Sequence, residues 1–203
     1  VVELIGGTGD PAAALIDSAL VTGKSVVTAN KALLAERAVQ LALVSEASGA
    51  SLAYEAAVAG GIPVIKTLRE ALAGNKMNRI SGILNGTCNF ILSQMESNGV
   101  SFEEALKEAQ KLGFAEAEPD LDISGMDAAQ KLALLAGLAF GVQPDVSQIS
   151  VTGIDAITDQ DISLADEFNS VIRLIAIAGE TSDGLVQCVA PMLVERTHAL
   201  AQV

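Results

Sequence analysis

The residue pattern predicts an α/β protein, on three observations. Strand-like and helical stretches alternate between Val1 and Glu55, and after Ile62 the texture changes to helices and strands in mixed order. Half of the residues are hydrophobic while only 3% are aromatic, a composition suited to helices laid on a buried sheet whose strands read as unbroken apolar runs.

Taken in chain order, Val1–Ile5 reads as a buried strand. Asp10-Pro11 then supplies an N-cap and a proline at the first helical position. That helix runs to about Val21 and stops at Gly23. Ser25–Thr28 reads as a second strand, Asn30–Ala47 as a second helix and Ser51–Glu55 as a third strand. Strand–helix–strand–helix–strand is the pattern of a parallel sheet with crossover helices, here the C-terminal half of a Rossmann-like, doubly wound sheet.

Beyond Ile62 the expected elements are a helix over Pro63–Ala73, a strand around Asn78–Leu84, and helices over Thr87–Ser97, Phe102–Leu112 and Gly125–Phe140. Ser101 with Glu104 forms a capping box for the middle one. After Gln143-Pro144 come strand-like runs at Ile149–Ile154, Val171–Ala178 and Leu185–Val194, with a short helix near Leu164. The expected partition is residues 1–55 as part of a dinucleotide-binding domain and 56–203 as an α+β second domain. The chain starts inside such a run, without Met, and stops at Val203 without a closing signal, so it reads as a fragment.

Charge narrows the function classes. The formal net charge is −13, and the twelve Lys and Arg are scattered, which argues against nucleic acid, whose phosphates need clustered cations. Mean hydropathy is +0.44, yet no apolar run reaches the roughly 18–20 residues of a membrane span. Two distant cysteines and one histidine make neither a disulfide framework nor a zinc pattern. A protein of the reducing cytoplasm is the expectation, and no signal peptide is visible.

Four segments hold residues capable of chemistry. Gly6-Gly7-Thr8 directly follows the first strand, where ligands sit in open parallel sheets; it reads either as a tight turn or as a place where a nucleotide approaches the backbone. The pyrophosphate fingerprint Gly-x-Gly-x-x-Gly is absent. Asn30 reads as an N-cap that puts Lys31 in the first helical turn, where the helix dipole disfavours a cation; Lys31 is either a solvated lysine or a contact for an anion or a reacting oxygen. In Tyr54–Pro63 one carboxylate, Glu55, precedes a glycine-rich loop. It either accepts backbone N–H bonds or joins the loop carbonyls in an oxygen cage for a hard cation.

The densest constellation runs from Gly113 to Lys131, with Glu116, Glu118, Asp120, Asp122 and Asp127 as its carboxylates and Lys131 as its lysine. Ser124 reads as the cap of the following helix, with Asp127 in the first turn and Lys131 one turn on, on the same face. One reading is a capped helix start with a surface ion pair. The other is a site in which carboxylates bind the ammonium and hydroxyl of a small amino acid while the lysine exchanges a proton with the reacting oxygen.

These segments together resemble homoserine dehydrogenases. Gly6-Gly-Thr8, Val26–Lys31, Tyr54–Pro63, Gly82–Ile91 and Gly113–Lys131 stand in that family's order and at similar spacing across essentially the whole chain. The resemblance implies NAD(P)-dependent interconversion of L-homoserine and L-aspartate 4-semialdehyde, a step towards threonine and methionine. It implies Lys131 as proton donor or acceptor, with Asp122 and Lys31 also catalytic, and Glu116, Asp127 and Thr87 as substrate-binding. Thr8, Lys31 and Gly113 are implied cofactor contacts, and Glu55 with the carbonyls of Val58, Gly60 and Ile62 a monovalent-cation site, usually Na+. A homodimer formed through the second, substrate/dimerisation domain is implied too. Phe114 and Glu118 depart from the tyrosine and aspartate common there. The alternatives are a related amino-acid dehydrogenase, or a catalytically silent dimerisation or regulatory module of the same fold.

Overall fold

A computed structural model describes residues 1–203. The chain forms two compact units, one of residues 1–78 with 130–148, the other of residues 79–129 with 149–203. No helix is long and apolar enough to cross a membrane.

The first unit is built on a three-stranded parallel sheet, β1 (Val2–Glu3), β2 (Val26–Thr28) and β3 (Leu52–Ala53), in the order β1-β2-β3. Helix α1 (Ala12–Val21) connects the first pair and α2 (Lys31–Ser48) the second. The α1 face bearing Ala12, Ile16, Ala19 and Leu20 is buried, as is the α2 face bearing Leu33, Leu34 and Leu41. This is the i, i+4, i+7/8 stripe a core-facing helix needs. Arg37 on α2 makes a two-pronged contact to Asp17 on α1, both oxygens at 3.0 Å. The expected elements are present with small shifts. Pro11 stands in the cap position and Asp10 still serves the α1 terminus, its Oδ1 accepting the Ala14 N–H at 3.1 Å.

The first unit departs from expectation at its connections. The third strand stops at Ala53, and Glu55 already opens a helical turn, α3 (Glu55–Val58). In place of one helix over Pro63–Ala73 there is a short α4 (Val64–Lys66) running into a π-type turn, Thr67–Ala71. The Thr67 hydroxyl donates back to the Pro63 carbonyl at 2.7 Å, the local side-chain bond that widens and ends a helix.

The second unit holds a four-stranded sheet in the order β4-β6-β7-β5. Here β4 is Arg79–Gly82, β5 Ser150–Val151, β6 Ser170–Thr181 and β7 Gly184–Glu195. The β6–β7 hairpin is antiparallel in register from Ser170↔Glu195 to Thr181↔Gly184, with β4 antiparallel to β6 and β5 parallel to β7. Strand β6 is buried on both faces from Ser170 to Ala176, which explains its run Val-Ile-Arg-Leu-Ile-Ala without alternation. The arginine inside that run, Arg173, is held by Glu96 at 2.9 Å and by the carbonyls of Ile172 and Ala201.

Helices α5 (Gly86–Asn98) and α6 (Phe102–Lys111) carry buried faces of Cys88, Ile91, Leu92 and Met95 and of Ala105 and Ala109. The capping box of Ser101 and Glu104 is formed. Helix α9 (Asp159–Glu167) carries a second one, Thr158 with Asp161. The expected strand over Ile149–Ile154 shortens to two residues because the chain peels away: Thr152 still donates to Val189, but Ile154 donates to Ile123.

Within the acidic segment, residues Asp120–Ile123 form a helical turn of their own, α7. Ser124 ends that turn, so the residue directly before α8 (Met126–Phe140) is Gly125, at φ +82°. Ser124 therefore does not cap α8, and Asp127 takes the second rather than the third position. Helix α8 begins in the second unit and from Gln130 onward belongs to the first.

Candidate active site

In the second unit the side chains expected to bind substrate are organised by a residue to which the sequence reading gave no role, Asn85. It caps α5, its Oδ1 accepting the Cys88 N–H at 2.8 Å. Its amide nitrogen spends both protons on carboxylates, one on Asp122 Oδ1 at 2.7 Å and one on Asp127 Oδ2 at 2.8 Å. Asn85 is 3% and Asp127 5% exposed. A carboxylate so withdrawn from water requires hydrogen bonds or a cation, and Asn85 supplies the former without charge. The Cys88 thiol donates to the Asp122 carbonyl at 3.1 Å, so α5 grips α7 by side chain and backbone alike.

Thr87, two residues on, donates its hydroxyl to the Phe114 carbonyl at 2.7 Å, and the Phe114 ring leans on Phe90 with centroids 4.8 Å apart. Gly113 lies at φ +78°. Its N–H reaches the Gln110 carbonyl and that of Phe114 the Ala109 carbonyl, the paired bonds of a Schellman stop. Its first task is thus to end α6 and turn the chain towards α7. Glu116 lies between those helices with its side chain exposed, its own carbonyl pinned by Gln110 Nε2 at 3.1 Å. Asp122, Asp127 and Thr87 are therefore gathered around the start of α5, while Glu116 stands on the adjoining turn. Lys131 follows Asp127 by one turn of α8.

In the first unit Thr8 and Lys31 stand at the carboxyl ends of neighbouring strands. Gly6 and Gly7, both near φ +80°, form the turn after β1. Asn30 ends the β2 run and caps α2, accepting the Leu33 N–H at 3.1 Å, so Lys31 does occupy the first helical turn. A side chain added at Gly6 or Gly7 would meet nothing within 4 Å, leaving open space above the turn.

Glu55 shows where a bland and a functional reading meet. Its Oε1 accepts the Lys66 N–H at 2.7 Å and its Oε2 the Ile65 N–H at 3.0 Å, so it serves the start of α4. Gly60 lies at φ +59°, and the Ile62 carbonyl accepts from Val64 at 2.8 Å. Each carboxylate oxygen keeps a lone pair beyond its N–H bond. No group of three His, Cys, Asp or Glu side chains is placed to hold a metal ion.

Comparison with known proteins gives this arrangement a family. Residues 63–203 match the family model described as homoserine dehydrogenase. The chain belongs to the homoserine dehydrogenase family. It is 45% identical over its whole length to the homoserine dehydrogenase of Synechocystis, of which it spans 48%, and 43% identical to that of Bacillus subtilis, of which it spans 47%. The chain thus spans about half the length of these relatives. Among solved homoserine dehydrogenases, the crystal structure from Thiobacillus denitrificans superposes with a TM-score of 0.96 at 45% identity, covering 100% of this chain and 47% of that one. A hyperthermophilic archaeal homoserine dehydrogenase solved in complex with NADPH matches with a TM-score of 0.81 at 29% identity, over 98% of this chain and 57% of that one.

The Asn85 bridge was hidden in the sequence because its partners lie 37 and 42 residues away. What could have raised it is its place directly before Gly86-Thr87 at a helix start, since Asn at an N-cap leaves its amide nitrogen free to serve a second group.

Proposed function

We propose that the protein interconverts L-homoserine and L-aspartate 4-semialdehyde with NAD or NADP, a step of threonine and methionine synthesis in the cytoplasm. The observation that carries this reading is the Asp122–Asn85–Asp127 cluster, one turn ahead of Lys131 on α8. Two carboxylates gathered by one neutral amide make an anionic group with several acceptor oxygens, which suits the ammonium of an amino-acid substrate. Family membership supports the choice of homoserine.

The roles divide by chemistry. Asp127 and Glu116 bind substrate charge, and Thr87 orients the turn beside it. Asp122 and Lys31 support the reacting groups, and Lys131 takes the hydroxyl proton as homoserine is oxidised and returns it in reduction. A bound nicotinamide supplies the two-electron acceptor for the hydride that leaves the substrate carbon. The residues present fit such a group at one end: the open Gly6–Gly7 turn and Thr8 lie at the carboxyl end of β1, where dinucleotides approach a parallel sheet, with Lys31 and Gly113 as further contacts. The NADPH complex of the archaeal relative supports the cofactor class. Residues 1–55 act in this reading as part of the dinucleotide-binding domain and 56–203 as the substrate domain, through which the protein pairs as a homodimer. Glu55 with the carbonyls of Val58, Gly60 and Ile62 is an all-oxygen donor set, suited to a weakly held monovalent cation such as Na+.

The test is homoserine-dependent reduction of NAD+ or NADP+ by the full-length protein and by its Lys131→Ala variant. Turnover is expected in the former and a loss of at least about a hundredfold in the latter. Unchanged turnover in the variant would sink the lysine assignment. Turnover with another amino alcohol but not homoserine would favour a related dehydrogenase.

A further inference from the structure

Glu3 is a charged residue inside the apolar strand run Val-Val-Glu-Leu-Ile, and it is 1% exposed. Its carboxylate is enclosed by donors. Oε1 accepts the N–H groups of Ile5 at 2.7 Å and Gly6 at 3.0 Å, and Oε2 accepts the Thr28 hydroxyl at 2.5 Å. The Thr28 oxygen in turn accepts the Asn30 N–H at 3.0 Å, and Asn30 Nδ2 donates to the Gly7 carbonyl at 2.7 Å. The bonds close a ring: Glu3 to the 5–7 turn, the turn to Asn30, Asn30 to Thr28, and Thr28 back to Glu3. Two backbone N–H groups of the turn are thereby spent inside the protein. What the turn offers outward is open space above two glycines held at positive φ.

We propose that Glu3 is a positioning residue for the nicotinamide cofactor: it clamps the Ile5–Gly7 turn that carries Thr8 to the cap of the helix that carries Lys31. The proposal rests on the dinucleotide-binding reading given above. It follows from the connectivity, because Glu3 is the member that touches both halves of the ring, the turn directly and the helix cap through Thr28. Removing it leaves the buried Thr28 hydroxyl and the part-buried turn amides without their acceptor, and the turn is then free to leave the one conformation that keeps the two strand ends in register.

The test compares Glu3→Ala, Glu3→Gln and Thr28→Val in the full-length protein. The readouts are hydrogen exchange at the Ile5, Gly6 and Asn30 amides without cofactor, and NADPH affinity by fluorescence. In Glu3→Ala these amides are expected to exchange faster and NADPH to bind roughly tenfold more weakly. Turnover at saturating cofactor should stay within about threefold, placing the loss in KM. Glutamine keeps one oxygen in the place that accepts both amides, so Glu3→Gln should restore most of the affinity. Should Glu3→Ala not fold, Thr28→Val, which breaks the ring at one hydroxyl, is expected to speed exchange at Asn30 and weaken NADPH binding. A folded Glu3→Ala or Thr28→Val protein with wild-type exchange and wild-type NADPH affinity overturns the proposal. A wild type that binds no NADPH overturns the dinucleotide reading instead, which the wild-type titration reveals by itself.

Discussion

Asn85 and Asp127, 42 residues apart in sequence, meet at 2.8 Å, the amide of one donating to the carboxylate of the other. The second proton of that amide goes to Asp122. One neutral amide thus holds two carboxylates, from different helical turns, at a fixed separation.

Asn85 performs two jobs, and substitution separates them. Asn85→Ala loses both the helix cap and the carboxylate bridge, and should destabilise the protein by about 2–4 kcal/mol, combining a lost cap with the loss of a donor to each of two carboxylates. Asn85→Ser keeps a capping oxygen but cannot reach both carboxylates, so its melting temperature should lie nearer the wild type. Homoserine turnover should nevertheless fall in both. Thermal unfolding alongside kcat/KM decides the point: recovery of activity in Asn85→Ser would mean that the cap alone matters.

Gly153 occupies a seat with no room for a side chain. A methyl group there would overlap the Ile123 carbonyl oxygen and approach Ser124 Cα at 2.7 Å. Those atoms end α7, the turn that carries Asp122. Gly153→Ala should therefore cost about 1–3 kcal/mol through overpacking and, by displacing α7, lower kcat/KM roughly ten- to a hundredfold. Gly113→Ala makes the contrast. Nothing lies within 4 Å of the added group, and only the positive φ is penalised, by about 1–2 kcal/mol. Unfolding and kinetics measured on both variants should show the larger kinetic defect in Gly153→Ala.

The Glu3 clamp has a pH signature. Burial by itself raises the carboxyl pKa, but the bonds from Thr28, Gly6 and Ile5 outweigh it, and the folded-state value lies below the ordinary 4.5. A depressed carboxylate pKa stabilises the fold above the unfolded value, and that contribution is lost as pH falls through the folded one. The stability difference between wild type and Glu3→Gln should accordingly be greatest near neutrality and shrink between about pH 5 and pH 3. Thermal melts across that range check it; a gap independent of pH would exclude a charged Glu3 as the source.

The legible parts of the chain were those written in local signals. Ser101 with Glu104 announced a capping box and the structure has it; Asn30 announced a cap and accepts from Leu33. Where a local signal had two solutions, the hydrogen bonding of the adjoining turns chose. Ser124 followed by Asp127 has the spelling of a helix start, yet the helix starts one residue later because α7 takes Ser124 as its own end. Pro63–Ala73 is helical in period, but its second half closes as a π-type turn, the Leu72 N–H reaching five residues back to the Thr67 carbonyl.

Alone, the sequence determined the parallel βαβαβ half, the mixed second unit, the order of the family motifs and the chemical types at the candidate site. These depend on period, capping and composition, which act within a few residues of one another. Only the tertiary structure decided that Asn85 joins Asp122 to Asp127, that Glu3 closes a ring through Thr28 and Asn30, and that Gly153 seats the end of α7. Each depends on a bond or contact across 23 or more residues, made between groups whose partners are set by packing. A buried carboxylate or amide announces that it needs a partner; which partner it finds is settled when the elements come together.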